Sequence, residues 1–244
     1  MKSPVRSARR LVERVTGWKI YRSAPPRGFD LFRDLNHVQG WGPPKTVFDV
    51  GAHVGATIDR FKEAYPVVTV HAFEPASDNL KMLRQRFARD PHVNIHAIAL
   101  GSTNRDGTLH LKKNTSTHSV IPLGECLGSE PIQIATMDTF CERERLQRVN
   151  YCKIDTEGGD LEVLRGASTL LLAQRIDFVQ VETSIRHDTR YFAPLWEIDG
   201  FLNEKRYELF GFYDQEPCHT GRDSLLYFNA VYIRSSLVEH LQVG

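Results

Sequence analysis

Cysteine, long apolar runs and an excess of charge of one sign are all scarce in this chain, and each shortage closes off a class of protein. Four cysteines occur in 244 residues, Cys126, Cys141, Cys152 and Cys218, far apart and with no C-x-x-C pair among them. Such spacing supplies neither a zinc site nor a disulfide frame and suits reduced thiols in a cytoplasmic protein. No run of about 18 apolar residues exists and no hydrophobic signal core follows Met1, so neither a membrane span nor a secretory leader is expected. Lys and Arg number 31 against 30 Asp and Glu, a formal net charge of +1, which removes the electrostatic case for nucleic acid as a partner. Repeats and low-complexity tracts are absent. What remains is an ordinary composition, long enough for one domain with a large core.

The stretch Thr46-Val47-Phe48-Asp49-Val50-Gly51-Ala52-His53-Val54-Gly55-Ala56-Thr57 organises the rest. A β-branched and aromatic run, suited to a strand buried on both faces, breaks into small residues before an amphipathic segment. A strand, a tight glycine turn and a helix start are expected. That junction aims backbone N–H groups and the positive end of a helix at one point, and glycine lets a ligand come close to the backbone. A dinucleotide site reads G-x-G-x-x-G; here an acid precedes two glycines as Asp49-x-Gly51-x-x-x-Gly55, which resembles the loop of class I S-adenosylmethionine methyltransferases. A second apolar run ends in Phe73-Glu74-Pro75, which places Glu74 to accept both ribose hydroxyls of an adenosine. The plainer alternative is that the glycines only turn the chain and Glu74 caps a helix near Ser77.

Strands and helices then alternate, which predicts a doubly wound, mostly parallel α/β sheet with right-handed crossovers. Residues 79–89 read as a helix and 93–100 as one strand whose end, Ala99-Leu100, lies where an adenine ring would sit. Residues 108–112 read as a strand, and 114–130 as a polar insertion that fits a lid over the acceptor. A strand at 149–154 runs into Asp155-Thr156-Glu157-Gly158-Gly159-Asp160, with a helix over 160–172 that Asp160 caps; a third strand ends at Glu182. Several strands carrying acids to one edge argue for a site, although Glu157 could also serve the fold alone. Residues 207–213 and 224–233 predict a closing antiparallel hairpin, and 235–243 a short last helix. Tyr191, Phe192 and Trp196 could stack on an acceptor or simply pack.

Taken in order, these residues resemble the FkbM-type S-adenosylmethionine-dependent methyltransferases. The resemblance runs from about Thr46 to Glu182. It rests on Val47-Phe48-Asp49-Val50-Gly51-Ala52-His53-Val54-Gly55, Phe73-Glu74-Pro75, Ala99-Leu100-Gly101, Thr136-Met137-Asp138-Thr139-Phe140, Lys153-Ile154-Asp155-Thr156-Glu157-Gly158, Glu162-Val163-Leu164-Arg165-Gly166-Ala167 and Val181-Glu182. The family's acidic turn usually reads Glu-Gly-Ala-Glu, and Gly159-Asp160 here replaces its second half. The resemblance implies a Rossmann-like methyltransferase domain, S-adenosyl-L-methionine as cofactor, and O-methylation of a hydroxyl on a surface glycan, glycolipid or natural product. Asp49, Gly51, His53, Gly55, Thr57, Glu74, Ala99, Leu100 and Asp155 are the expected cofactor contacts.

An alcohol must lose its proton as it takes a methyl group, so a base is needed within reach. Asp155 is the first candidate and Glu157 the second, with Glu182 beside them and His118 and His187 as runners-up. The same three carboxylates supply the hard oxygen ligands that Mg²⁺ prefers, a further way to hold a sugar diol. Two other readings share the layout: an NAD-dependent oxidoreductase, disfavoured by the glycine spacing, and a non-catalytic nucleoside-binding protein, disfavoured by the retained acids. Residues 1–42 read as a basic helical extension and 43–244 as the methyltransferase domain. Within the extension Leu11, Val12, Val15 and Trp18 can share a helical face among arginines, fitting either packing on the domain or a second subunit, or contact with the inner face of a membrane.

Overall fold

The computed structural model describes residues 12, 14–16, 25–122, 124–187, 191–218 and 224–239. The basic amphipathic segment and the end of the expected last helix therefore lie almost wholly outside the described residues. In chain order the first elements are α1 Leu31–Asn36, β1 Thr46–Val50, α2 Ala56–Ala64, β2 Thr69–Phe73, α3 Ser77–Arg86, β3 Val93–His96, β4 Ala99–Leu100, β5 Arg105–Leu111 and β6 Gly128–Ala135. There follow α4 Met137–Arg143, β7 Val149–Ile154, α5 Asp160–Arg165, α6 Ser168–Leu172, β8 Ile176–Ser184, β9 Ala193–Pro194, α7 Leu195–Asn203, β10 Tyr207–Pro217, β11 Leu225–Arg234 and α8 Ser235–Val238.

The main sheet runs β3-β2-β1-β7-β8-β11-β10. Its first five strands are parallel, and β11 lies antiparallel to both β8 and β10. Alternating residues of each central strand feed two cores. On one face Phe48, Val50, Cys152, Ile154, Val179 and Val181 pack against α4 to α7; on the other Val47, Val70, Ala72, Tyr151 and Phe178 pack against α1, α2 and α8. Burial on both sides is why these strands read as unbroken apolar runs. The segment ahead of β1 joins the second core: Leu31 and Leu35 are buried, and the Trp41 ring meets the Phe178 ring edge-on at 5.1 Å.

From β1 the chain winds outward through β2 and β3, then returns to lay β7 along the opposite side of β1. The switch point lies between β1 and β7, and in such sheets a ligand binds beyond the carboxyl ends of the strands that flank it. Val50 is in register with Phe73 of β2 and Ile154 of β7, so the three strand ends, and the loops that leave them, stand side by side.

Three expectations need correction. Residues 93–100 are not one strand: after His96 the chain leaves the main sheet, and Ala99–Leu100 pairs parallel with β6 in a small sheet ordered β4-β6-β5. Both halves are apolar, and only the pairing partner tells them apart. The helix expected over 160–172 is two, broken at Gly166–Ala167, where the backbone passes so close to the Gly101 turn that a Cβ on residue 166 would lie 2.0 Å from the Gly101 carbonyl oxygen. Residues 114–130 are not all loop, since β6 begins at Gly128 and pairs antiparallel with β5, making the insertion the tip of a β-hairpin.

Candidate active site

The loop after β1 is a turn whose amides are largely engaged. The Gly51 and Ala52 N–H groups donate to the Phe73 carbonyl at 3.0 and 3.1 Å, Gly55 N–H donates to Ala52 O at 2.8 Å, and His53 N–H donates to Glu74 Oε2 at 2.8 Å. The sequence reading of free amides aimed at a ligand is thereby corrected, and few are left for a pyrophosphate. The glycines also have a different reason. A Cβ on Gly51, at φ +82°, would sit 1.8 Å from the Asp155 carbonyl oxygen, and one on Gly55, at φ +88°, would press on the Phe87 ring. The turn is thus shaped by the close approach of β7's exit to β1 as well as by the left-handed backbone that glycine tolerates.

Glu74 is 5% exposed, and its two oxygens accept from Ala76 N–H and His53 N–H, both at 2.8 Å. Burial raises its pKa while those two bonds oppose the rise. The Asn79 side chain bonds it as well, so of about four lone-pair sites on the carboxylate one remains for a ribose hydroxyl. Asn79, 1% exposed, lines the same cavity with an Oδ1 that has no hydrogen-bond donor among the described residues, an acceptor group that a nucleoside would satisfy. The cavity is walled by Gly51, His53, Glu74, Ala99, Leu100, Asp155, Glu157 and His118. It therefore joins most of the residues singled out from the sequence. Asp49, Gly55 and Thr57 stand behind that wall rather than in it.

Lys153 is the group the sequence did not reveal. Its ammonium lies 2.9 Å from Asp155 Oδ2 and 3.8 Å from Asp49 Oδ1. Burial favours the neutral amine, but Asp155 and Asp49 outweigh it and hold Lys153 protonated. Asp49 is fully buried; burial pushes it up to about 6 against the pull of Lys153 and of the Thr57 hydroxyl. A lysine within a parallel strand next to two aspartates is a signal that could have been noticed.

Beyond Lys153 the acids converge. Asp155, Glu157 and Glu182 each offer a carboxylate oxygen, and these atoms lie within 4.8 Å of one another. Burial, then Asp155 and Asp160, push Glu157 up to about 7. Burial and the same neighbours raise Glu182 further, so it holds its proton at neutral pH. Asp160 does not cap its helix: Gly159 is the N-cap, and the Asp160 carboxylate instead accepts from Thr156 N–H at 2.8 Å and Thr156 Oγ1 at 3.1 Å, which stiffens the acidic turn. Glu157 itself sits at φ +55° and His53 at φ +49°, a left-handed backbone that side chains other than glycine seldom adopt and that clusters at functional sites.

The hairpin tip closes over this cavity. His53 Nε2 and Thr115 Oγ1 are 3.0 Å apart, Asn79 Nδ2 donates to Thr115 O at 3.4 Å, and the buried Ser119 hydroxyl donates to the Glu157 carbonyl at 2.9 Å. His118 Nδ1 accepts the Lys112 N–H at 3.0 Å, and burial lowers the pKa of the ring. A neutral His118 therefore carries its proton on Nε2 and presents a donor, which argues against it as a base. His187 is exposed and stacks on Trp196 with ring centroids 4.5 Å apart, outside the cavity.

A parallel sheet whose order reverses beside β1, extended by one antiparallel strand and carrying an acid-rimmed nucleoside cavity at the reversal, has the class I methyltransferase architecture. The chain belongs to the family defined by the methyltransferase FkbM domain, whose sequence model matches residues 49–209. Family membership sets aside the oxidoreductase reading. Among curated proteins it is similar to the hexuronic acid methyltransferase AglP of Haloferax volcanii, 30% identical over 142 residues, covering 56% of this chain and 54% of that one. It is also similar to methyltransferase 1 of Beauveria bassiana, 25% identical over 142 residues, covering 49% of this chain and 57% of that one. The chain thus aligns with little more than half the length of either relative. Similar solved structures include an rRNA methylase from Streptococcus thermophilus, with TM-score 0.46, 11% identity, and coverage of 87% of this chain and 99% of that one. Another is Aeropyrum pernix fibrillarin with natively bound S-adenosyl-L-methionine, with TM-score 0.45, 11% identity, and coverage of 78% and 66%.

Proposed function

We propose that this protein transfers a methyl group from S-adenosylmethionine to a sugar hydroxyl. The observation that carries the reading is the gathering of Asp155, Glu157 and Glu182, whose carboxylates lie within 4.8 Å of one another, with Asp155 and Glu157 in the wall of the nucleoside cavity. Glu74 and Asn79 would hold the ribose, and Ala99 and Leu100 the adenine side. When bound, S-adenosylmethionine supplies a methyl carbon already activated by its sulfonium. Positioning an oxygen against that carbon and removing the hydroxyl proton are the tasks left to the chain.

Glu157 suits the second task better than Asp155. Asp155 has its Oδ2 engaged by the Lys153 ammonium at 2.9 Å, whereas Glu157 is pushed up to about 7, close to matched to a neutral working pH. The proton released by the alcohol passes to the Glu157 carboxylate as the oxygen–methyl bond forms. Glu182, protonated, has a hydrogen bond to donate to a second hydroxyl, and the Phe192 and Tyr227 rings, stacked 5.0 Å apart, supply a carbohydrate-stacking surface close by. The name of the similar Haloferax protein, a hexuronic acid methyltransferase, supports a sugar acceptor.

The test is incubation of the purified protein with methyl-labelled S-adenosylmethionine and a panel of glycans. Label appearing as a sugar methyl ether, with a mass gain of one CH₂, is the expected result. Label that enters no hydroxyl, together with no affinity for S-adenosylhomocysteine in calorimetry, would overturn the reading.

A further inference from the structure

Lys112 follows β5 at the base of the hairpin tip, and its ammonium is out of contact with water, with no hydrogen-bond acceptor among the described residues. It faces the Tyr191 ring, 5.1 Å from Nζ to the ring centroid. An aromatic face offsets part of the loss of hydration but leaves three N–H donors without acceptors. The ammonium acts electrostatically on both Glu157 and His118, so it stands beside the acidic turn. Lys153 is ion-paired with Asp155 and Asp49, whereas Lys112 forms no ion pair within 4.0 Å among the described residues. A buried cation of this kind is costly unless a partner arrives. Lys112 is also absent from the wall of the nucleoside cavity, so the partner is not expected to be the amino-acid carboxylate of the methyl donor.

Resting on the sugar-methylating reading above, we infer that Lys112 selects acceptors that carry a negative charge near the methylated hydroxyl, a sugar carboxylate or a sugar phosphate. A lysine ammonium is a compact point charge without the planar fork of arginine, so it accepts either anion. Tyr191, from the far side, covers the pair and excludes water, which strengthens the contact. The acidic cluster then recognises the hydroxyls while Lys112 recognises the anion. An anionic sugar lacking such a counter-charge would be repelled by Asp155 and Glu157.

The experiment compares methyl β-glucuronide, methyl β-glucoside and the 6-phosphate of methyl β-glucoside as probes of wild-type protein and of Lys112→Met and Lys112→Arg. Calorimetry of each probe in the presence of S-adenosylhomocysteine is run alongside turnover. Wild type should bind at least one anionic probe roughly 10- to 100-fold tighter than the glucoside, the range of a charge-assisted hydrogen bond. Lys112→Met should erase that preference without changing affinity for S-adenosylhomocysteine, and Lys112→Arg should restore part of it. The ligand-free Lys112→Met protein should melt no lower than wild type, since a merely structural lysine would leave it less stable. Equal binding of charged and neutral probes by wild type overturns the inference while leaving sugar methylation intact. So does weakened S-adenosylhomocysteine binding in Lys112→Met, which would assign the anion to the methyl donor. Absence of methyl transfer to any sugar, with anion-dependent probe binding retained, would count against the methylation reading instead.

Discussion

Replacing Glu157 with Gln keeps the shape of the acidic turn and removes its proton acceptor. The expected result is a fall in kcat of roughly 10²- to 10⁴-fold, the range for loss of a general base, with little change in affinity for S-adenosylhomocysteine. The pH profile separates Glu157 from Asp155. A base must be ionised to act, and Glu157 is pushed up to about 7, so wild-type kcat/KM should rise with pH through about 7 and level off above it. That inflection should vanish in Glu157→Gln; its persistence would return the role to Asp155. At this scale the sequence disclosed the acids but not their ranking. Asp155 and Glu157 look alike in a string of letters, and what separates them is a Lys153 ammonium 2.9 Å from one of them, held there from two residues upstream and drawn inward by Asp49 on the neighbouring strand, a pairing across the sheet that the spacing alone does not announce.

Among the elements, the central parallel strands were legible because burial on both faces demands unbroken apolar runs, and the acid at each strand end marks where the run leaves the sheet. The bend after His96 was not, since Ala99–Leu100 is as apolar as the strand before it and is distinguished only by pairing with β6. Gly166 was equally silent. Its reason is tertiary: it lets the end of α5 settle on the Gly101 turn that carries the adenine-side wall. Gly166→Ala should destabilise the protein by roughly 1–3 kcal/mol, because backbone rather than a flexible side chain would have to give way. It should also weaken S-adenosylhomocysteine binding, as chemical denaturation and calorimetry would register. Unchanged stability would mean that the helix end and the turn are free to separate.

For the whole molecule, collecting acids at one point sets stability against activity. Glu182 has its pKa raised by burial among like charges. Between its ordinary value and the raised one the folded state binds more protons than the unfolded state, so its effect is to lower stability as pH climbs through that window. Glu182→Gln mimics the protonated form, and should be more stable than wild type at pH 8 by roughly 1–2 kcal/mol, with a smaller gap at pH 5. Thermal melts at the two pH values check this, and a gap that widens at pH 5 would contradict the assigned direction. A divalent cation at the same acids would have to compete with Lys153 for Asp155, so turnover should survive dialysis against EDTA; a loss restored by Mg²⁺ would instead make the cluster a metal site. One architectural detail reaches further. The hairpin of β5 and β6 pairs with itself and with the two-residue β4, and not with the main sheet. Its tip can therefore be exchanged for another of different length or charge while the main sheet stays as it is, so chimaeras grafted at Leu111 and Gly128 that keep the Thr115 and Ser119 contacts to the cavity offer a route by which one scaffold acquires new acceptors.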